Sequence, residues 1–246
     1  MKPSLPEATI SEQDGVRYLH LDTPWVQGAM LMKQPRTLVL EYVQRMMAWM
    51  LWRPTEQVAQ GHAVQLGLGG AAITRFTHQV LRMQTTVVEL NPTVIAACRL
   101  WFHLPADDER LSVLEADAAD WVADTAHLQT VDVLCVDLYD HEAAAPVLDS
   151  QAFYADCRRL LTADGCMTVN LFGRSSSYDR SLQRIQAAFG EAAVWAFKPT
   201  REGNTVVLAL REPVHPVRGE LSLRADEIEA RWGLPAKKWL RVFKPA

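Results

Sequence analysis

Glu89, Asp117, Asp137 and Asp140 are the side chains of this 246-residue sequence best spaced to do chemistry together. The first three close short apolar runs (TTVVE, LSVLEAD and VDVLCVD), so each reads as an acid at the carboxyl end of a buried strand. In an open parallel sheet such ends share one crevice, and ligands bind there. Asp137 and Asp140 flank Tyr139 at the tip of their strand. A carboxylate pair in that position can hold a cationic amine and take its proton as it attacks. An amine of pKa about 10 is a poor nucleophile until it is deprotonated, so a general base has work to do. The plainer alternative has Asp137 fixing the loop backbone and Asp140 in solvent.

A glycine turn precedes these acids. Ala63–Leu68 reads as a buried strand, after which Gly67, Gly69 and Gly70 permit a sharp turn and a close approach of backbone to a ligand. Ala71–Met83 then supplies a helix whose N-terminus offers free N–H groups and positive partial charge. Twenty residues separate Gly69 from Glu89, at the end of strand Thr85–Leu90. That spacing lets an acid accept hydrogen bonds from ribose hydroxyls. Asp117 can accept from the exocyclic amine of an adenine while the Ala118 N–H meets a ring nitrogen. The sum is a nucleoside site. Gly67-x-Gly69-x-x-Ala72 also fits the dinucleotide fingerprint, a helix packed tightly on its strand needs no ligand at all, and Asp117 equally suits a helix N-cap.

The elements that must position these groups alternate. Residues 1–15 are polar with two prolines and read as a loose arm. Val16–Asp22 and Trp25–Met32 read as a β-hairpin, and Pro35–Trp52 as a helix. Beyond the glycine unit, helix Pro92–Phe102, strand Leu111–Ala116, helix Ala118–Thr125 and strand Val131–Leu138 follow. Helix Gln151–Leu161, strand Cys166–Phe172 and helix Tyr178–Phe189 come next. Ala192–Lys198 and Thr205–Arg211 are joined by a short turn and must be antiparallel. The expected fold is α/β: a doubly wound, mostly parallel seven-stranded sheet of the class I methyltransferase-like Rossmann type, with a small N-terminal β-hairpin region. Residues 1–55 form the hairpin and helix, and residues 56–246 the nucleoside-binding and catalytic domain. Leu223–Trp232 is a terminal helix, and Lys237–Lys244 a basic apolar tail that packs or dimerises.

Net charge is −4, with 25 basic and 29 acidic residues, so there is no nucleic-acid footprint. The longest strongly apolar stretch, around Met46–Trp52, is too short for a bilayer, and the N-terminus has no apolar leader segment. Cys98, Cys135, Cys157 and Cys166 share no metal-like spacing, which points to reduced buried thiols, no metal and a cytoplasmic protein.

The stretches DGVRYLHLD, WVQGAM, LGLGGAAITR, VVELNP, LEADAADWV, VDVLCVDLYD and QAFYADCRRLL together resemble the spermidine/spermine synthase family, the polyamine aminopropyltransferases. Their order and spacing carry the likeness more than any one motif. In that family decarboxylated S-adenosylmethionine donates its aminopropyl group to a diamine and leaves methylthioadenosine. The resemblance implies Gly67, Gly69, Gly70 and Leu90 along the donor, Glu89 on its ribose, and Asp117 with Ala118 at its adenine. It also implies Gln27 on the hairpin covering the donor and Asp137 beside the reacting centre. Tyr42, Tyr139 and Asp140 would meet the acceptor. The expected partners are an amine or polyamine acceptor and a second copy in a homodimer, with no nucleic acid and no membrane.

Three departures stand out. The family's glycine motif carries an Asp where this chain has Gly70, and its Asp-Ser/Thr-Ser/Thr-Asp-Pro loop is here Asp137-Leu138-Tyr139-Asp140-His141. Its Tyr-x-Glu becomes Tyr42-Val43-Gln44. Without an acid at position 70 the turn can also tolerate S-adenosylmethionine with its carboxylate, which makes a methyltransferase the runner-up reading. A non-catalytic nucleoside- or polyamine-binding relative and a nicotinamide-dependent oxidoreductase are the remaining alternatives.

Overall fold

The computed structural model describes residues 5–138, 148–172 and 175–246. It opens with three antiparallel strands, β1 (Ala8–Gln13), β2 (Val16–Leu21) and β3 (Gly28–Leu31). Within the expected loose arm, Ala8–Gln13 is thus a strand. Asp14 and Gly15, both at positive φ (52° and 79°), form the two-residue turn whose twist suits a hairpin, and that pair is the signal the polar composition concealed. Helix α1 covers only Glu41–Met46 and tightens into a 3₁₀ segment, Met47–Trp52. The chain before it runs through turns, the Gln34 N–H donating to the Leu31 carbonyl and the Thr37 N–H to the Gln34 carbonyl, and the Gln44 Nε2 donates to the Leu38 carbonyl at 2.8 Å, so the single helix expected from Pro35 does not form.

The large sheet takes β4 (His62–Leu66), β5 (Gln84–Glu89), β6 (Leu111–Glu115), β7 (Val131–Val136) and β8 (Leu161–Phe172), all parallel. β9 (Val194–Phe197), β10 (Asn204–Leu210) and β11 (Phe243–Pro245) join it antiparallel. The connecting helices are α2 (Ala72–Arg75), α3 (Pro92–Trp101), α4 (Ala118–Ala123), α5 (Gln151–Leu160) and α6 (Ser175–Phe189), with α7 (Arg218–Trp232) and α8 (Ala236–Val242) at the end. Strand order is β11-β9-β10-β8-β7-β4-β5-β6, eight strands where the sequence indicates seven. The eighth is β11, the end of the basic tail, which pairs with β9 of its own sheet. From β4 the chain runs outward to β6 and returns to β7, so the crevice lies between the carboxyl ends of β4, β5 and β7. The helix expected at Ala71–Met83 is instead α2 followed by a π-helical turn, Phe76–Val80. The Thr77 hydroxyl there donates back to the Ile73 carbonyl at 3.1 Å, a bond that competes with regular helix geometry.

Both parts of residues 1–55 share apolar cores with the large sheet. Met46–Leu51 pack with Val64, Leu134 and Val207, while Leu19 and Met30 pack with Val87, Val94 and Phe102. No helix of the described residues is long and apolar enough to cross a membrane. Phe243, buried on β11, stacks on Phe197 with ring centroids 4.2 Å apart. Phe243→Ala is therefore expected to lower unfolding stability by about 3 kcal/mol, read from urea denaturation. A midpoint equal to wild type would mean that the tail is not part of the cooperative core.

Candidate functional site

Three chain segments meet at the glycine turn with almost no side chain between them. Gly67, at φ 83°, lies against the Asp137 carbonyl; a Cβ there would come within 2.3 Å of that oxygen. A Cβ on Gly69 would stand 2.9 Å from the Gln27 carbonyl, and one on Gly28 only 2.2 Å from the Gly70 nitrogen. β3 is thus laid directly on the turn, which is why both faces of the contact are glycine. Gln65, a polar residue inside β4, supports the turn from below, its Nε2 donating to the Gly67 carbonyl at 2.7 Å while its Oε1 accepts from Thr74 at 2.6 Å.

Asp137 sits just past β7. Its Oδ2 accepts from the Tyr42 hydroxyl at 3.1 Å and its Oδ1 from the Asn170 Nδ2 at 2.9 Å. The Asn204 Nδ2 in turn donates to the Asn170 Oδ1 at 3.1 Å. Burial pushes the Asp137 carboxyl above the ordinary carboxylate value, against the pull of these donors from Asn170 and Tyr42. A desolvated carboxylate held by neutral donors is a stronger proton acceptor than one in water.

Glu89 closes β5 and is pinned at both oxygens, Oε2 by the Leu68 N–H and Oε1 by the Asn91 N–H, each at 2.8 Å. Desolvation raises its pKa, and those backbone N–H groups oppose the rise. Two bonds use only half of a carboxylate's acceptor capacity, so a diol can still be bound. Asp117 caps α4 by accepting from the Ala119 N–H at 2.7 Å, yet it remains exposed on the crevice wall beside buried Ala118. The cap geometry of the alternative reading is present, and the wall position of the nucleoside reading is present too.

These residues line one cavity of about 990 Å³. Gln27, Tyr42, Gly67, Gly69, Glu89, Leu90, Asp117, Ala118 and Asp137 all contribute to it. Gly70 does not; it is turned under β3, beside Gln27 and Gly28. Gln44 does not either, because its carboxamide is spent on the Leu38 carbonyl. The acid on the other side of Tyr42, Glu41, is on the wall instead. Tyr139 and Asp140 lie outside the described residues. Sequence reasoning passed over Asn170, Asn204, Glu41 and Glu202. Asn170 carried a usable signal, since it is a lone carboxamide in the apolar run CMTVNLF at a strand end. Among the described lining residues five carry carboxylates, Glu41, Glu89, Asp117, Asp137 and Glu202, and none is Lys, Arg or His.

Comparison with known proteins shows the family. Residues 66–207 match the spermine/spermidine synthase domain. A polyamine aminopropyltransferase from Neisseria meningitidis serogroup A is 34% identical over 245 residues, covering 99% of this chain and 91% of that protein. Among solved structures, a probable spermidine synthase from Corynebacterium glutamicum superposes with TM-score 0.73 at 19% identity, over 93% of this chain and 85% of that one. Human methyltransferase-like protein 13, solved in complex with SAH, gives TM-score 0.70 at 22% identity, over 78% of this chain and 92% of that one. At these identities the structural likenesses speak to the fold, a methyltransferase-like α/β sheet.

The raised Asp137 pKa has a consequence for stability. The folded chain binds that proton more tightly than the unfolded chain, whose Asp titrates near 3.9. Stability is therefore lost as pH rises from about 4 through the folded-state value. Asp137→Asn removes the ionisable group while keeping its shape. Melting curves are expected to place this variant above wild type at pH 7, with the gap closing toward pH 4. A gap constant across that range would exclude desolvation of Asp137 as its cause.

Proposed function

The chain belongs to the spermine/spermidine synthase family and is a transferase of the polyamine aminopropyltransferase kind, and from that premise we propose that it moves the aminopropyl group of decarboxylated S-adenosylmethionine to a small polyamine acceptor. One observation carries the choice of substrates. The described cavity wall bears five carboxylates and no basic side chain. Both reactants of an aminopropyl transfer are cations, a sulfonium that also carries an ammonium group and an amine that arrives protonated. Such a wall attracts both. The carboxylate of intact S-adenosylmethionine would meet no described cation there, which speaks against the methyltransferase alternative on the same scaffold.

In this reading Glu89 accepts from the ribose hydroxyls, Asp117 and the Ala118 N–H meet the adenine, and Leu90 packs on the nucleoside. Gly67 and Gly69 let the backbone approach, with Gly70 holding the turn beneath Gln27 and β3. Tyr42, Tyr139 and Asp140 hold the acceptor. The amine lone pair attacks the carbon next to the sulfonium, a C–N bond forms, and the C–S bond breaks with its electron pair going to sulfur. Methylthioadenosine leaves as a neutral thioether, and the proton shed by nitrogen passes to Asp137. Alignment of the two cations and the field of the acids account for most of the acceleration, and the base adds its own factor.

Calorimetric titration with decarboxylated and with intact S-adenosylmethionine tests the donor. Tighter binding of the decarboxylated form is expected, and preference for the intact form would reassign the scaffold to methyl transfer. Asp137→Asn is expected to lower the transfer rate by about 10²-fold or more, as loss of a general base does, while methylthioadenosine still binds. Undiminished turnover in that variant would remove Asp137 from the proton-transfer step.

A further inference from the structure

Each carboxylate on the cavity wall can be asked what already occupies it. Glu89 is held by two backbone N–H groups, Asp117 caps α4, and Asp137 accepts from Tyr42 and Asn170. Glu41 is paired with Arg45 at 2.5 Å. Glu202 makes no hydrogen bond or ion pair with any of the described residues, although it stands on the same wall. Arg201 beside it is exposed and does not line the cavity.

The backbone carrying Glu202 is nevertheless fixed. Thr200 and Asn204 close the β9–β10 turn through the Thr200 N–H to the Asn204 carbonyl, 2.7 Å, and the Asn204 N–H to the Thr200 hydroxyl, 3.2 Å. Gly203, at φ 100°, rests against the Phe172 ring, where a Cβ would come within 3.3 Å. The turn is also wired to the reacting centre, since Asn204 donates to Asn170 and Asn170 to Asp137. Glu202, itself exposed, thus stands on the acid-lined wall with no described protein cation, on a turn whose Asn204 is two side-chain hydrogen bonds from the proposed base.

We infer that Glu202 is a specificity-determining residue, binding the non-reacting ammonium group of a diamine or polyamine acceptor while the other amine reacts at Asp137. This rests on the aminopropyl-transfer reading above. The reacting amine must give up its charge, but the far one keeps its proton, and a carboxylate away from Asp137 can hold it.

The test compares 1,4-diaminobutane with n-butylamine, an acceptor of the same chain length that lacks the second ammonium. In steady-state assays with the decarboxylated donor, Glu202→Gln is expected to reduce the diamine-over-monoamine ratio of kcat/KM about tenfold, the effect of one charged contact. The loss should appear mainly in the diamine KM. A ratio held at the wild-type value overturns the inference. The same pair is titrated by calorimetry into the methylthioadenosine complex, which separates the two readings. Weaker diamine binding by Glu202→Gln, in a protein without turnover, would support the Glu202 assignment and count against the transfer reading alone. Equal diamine affinities in variant and wild type would overturn the Glu202 assignment, and failure of the wild type to bind the diamine would overturn both.

Discussion

Backbone resting on backbone at the glycine turn is the constraint from which the site follows. Gly67 touches the Asp137 carbonyl, Gly69 lies under Gln27, and Gly28 lies over Gly70, so β4, β7 and the N-terminal sheet meet at one point. Arg75 ties the same point from inside the protein. Its guanidinium donates to the Pro35 and Gly70 carbonyls at 2.8 Å and to the Phe102 carbonyl at 2.5 Å, and among the described residues no carboxylate pairs with it. Burial lowers its pKa to about 10, so the group remains cationic at neutral pH. Three carbonyl dipoles replace the counter-ion, and the loop before α1, the glycine turn and the end of α3 are thereby held in one arrangement. The crevice between β5 and β7 keeps its shape because this junction cannot slide.

The electrostatics of the cavity depend on how its acids are satisfied. Burial disfavours the charged form of these acids, visible in the raised pKa values of both Glu89 and Asp137. Backbone N–H groups, a phenol and a carboxamide supply the hydrogen bonds that Glu89, Asp117 and Asp137 need. Those donors are neutral. They meet the local bonding requirement without cancelling the charge, so the negative field survives for a ligand to use. Had Lys or Arg supplied the same bonds, as Arg45 does for Glu41, the wall would be quieter and less selective for cations.

The sequence made legible whatever depends on local pattern. Apolar runs ending in acids gave β5, β6 and β7 and their shared edge, and the paired apolar runs around Gly203-Asn204 gave the antiparallel closure by β9 and β10. Glu89, Asp117 and Asp137 do share one cavity, and Tyr42 joins them there. What stayed hidden depends on contacts between distant segments. Nothing near Asn170 in the chain says that Asp137 will be its partner, since the two are 33 residues apart and meet only because β7 and β8 are neighbours. Glu202 is an ordinary turn residue until the β10 register brings its hairpin to the crevice. The irregular helix after Ala71 was hidden for a local reason, because threonine hydroxyls and the buried Arg75 side chain override the apolar periodicity of that segment.

Gly70 brings these threads together. Read from the motif alone, losing the family's Asp at this position suggests a turn opened to a donor that keeps its carboxylate. The geometry gives the substitution another meaning. A Cβ on Gly70 would lie 3.1 Å from the Gly28 Cα and 3.2 Å from the Ala29 nitrogen, so an Asp side chain would have to leave past the backbone of β3. The absent acid and the close seating of β3 are then one structural choice, in which the strand takes the volume that a longer residue would fill. Space freed for a carboxylate would also need a cation beside it, and the described wall provides none. The missing Asp therefore goes with the close seating of β3 and gives no ground by itself for a change of donor.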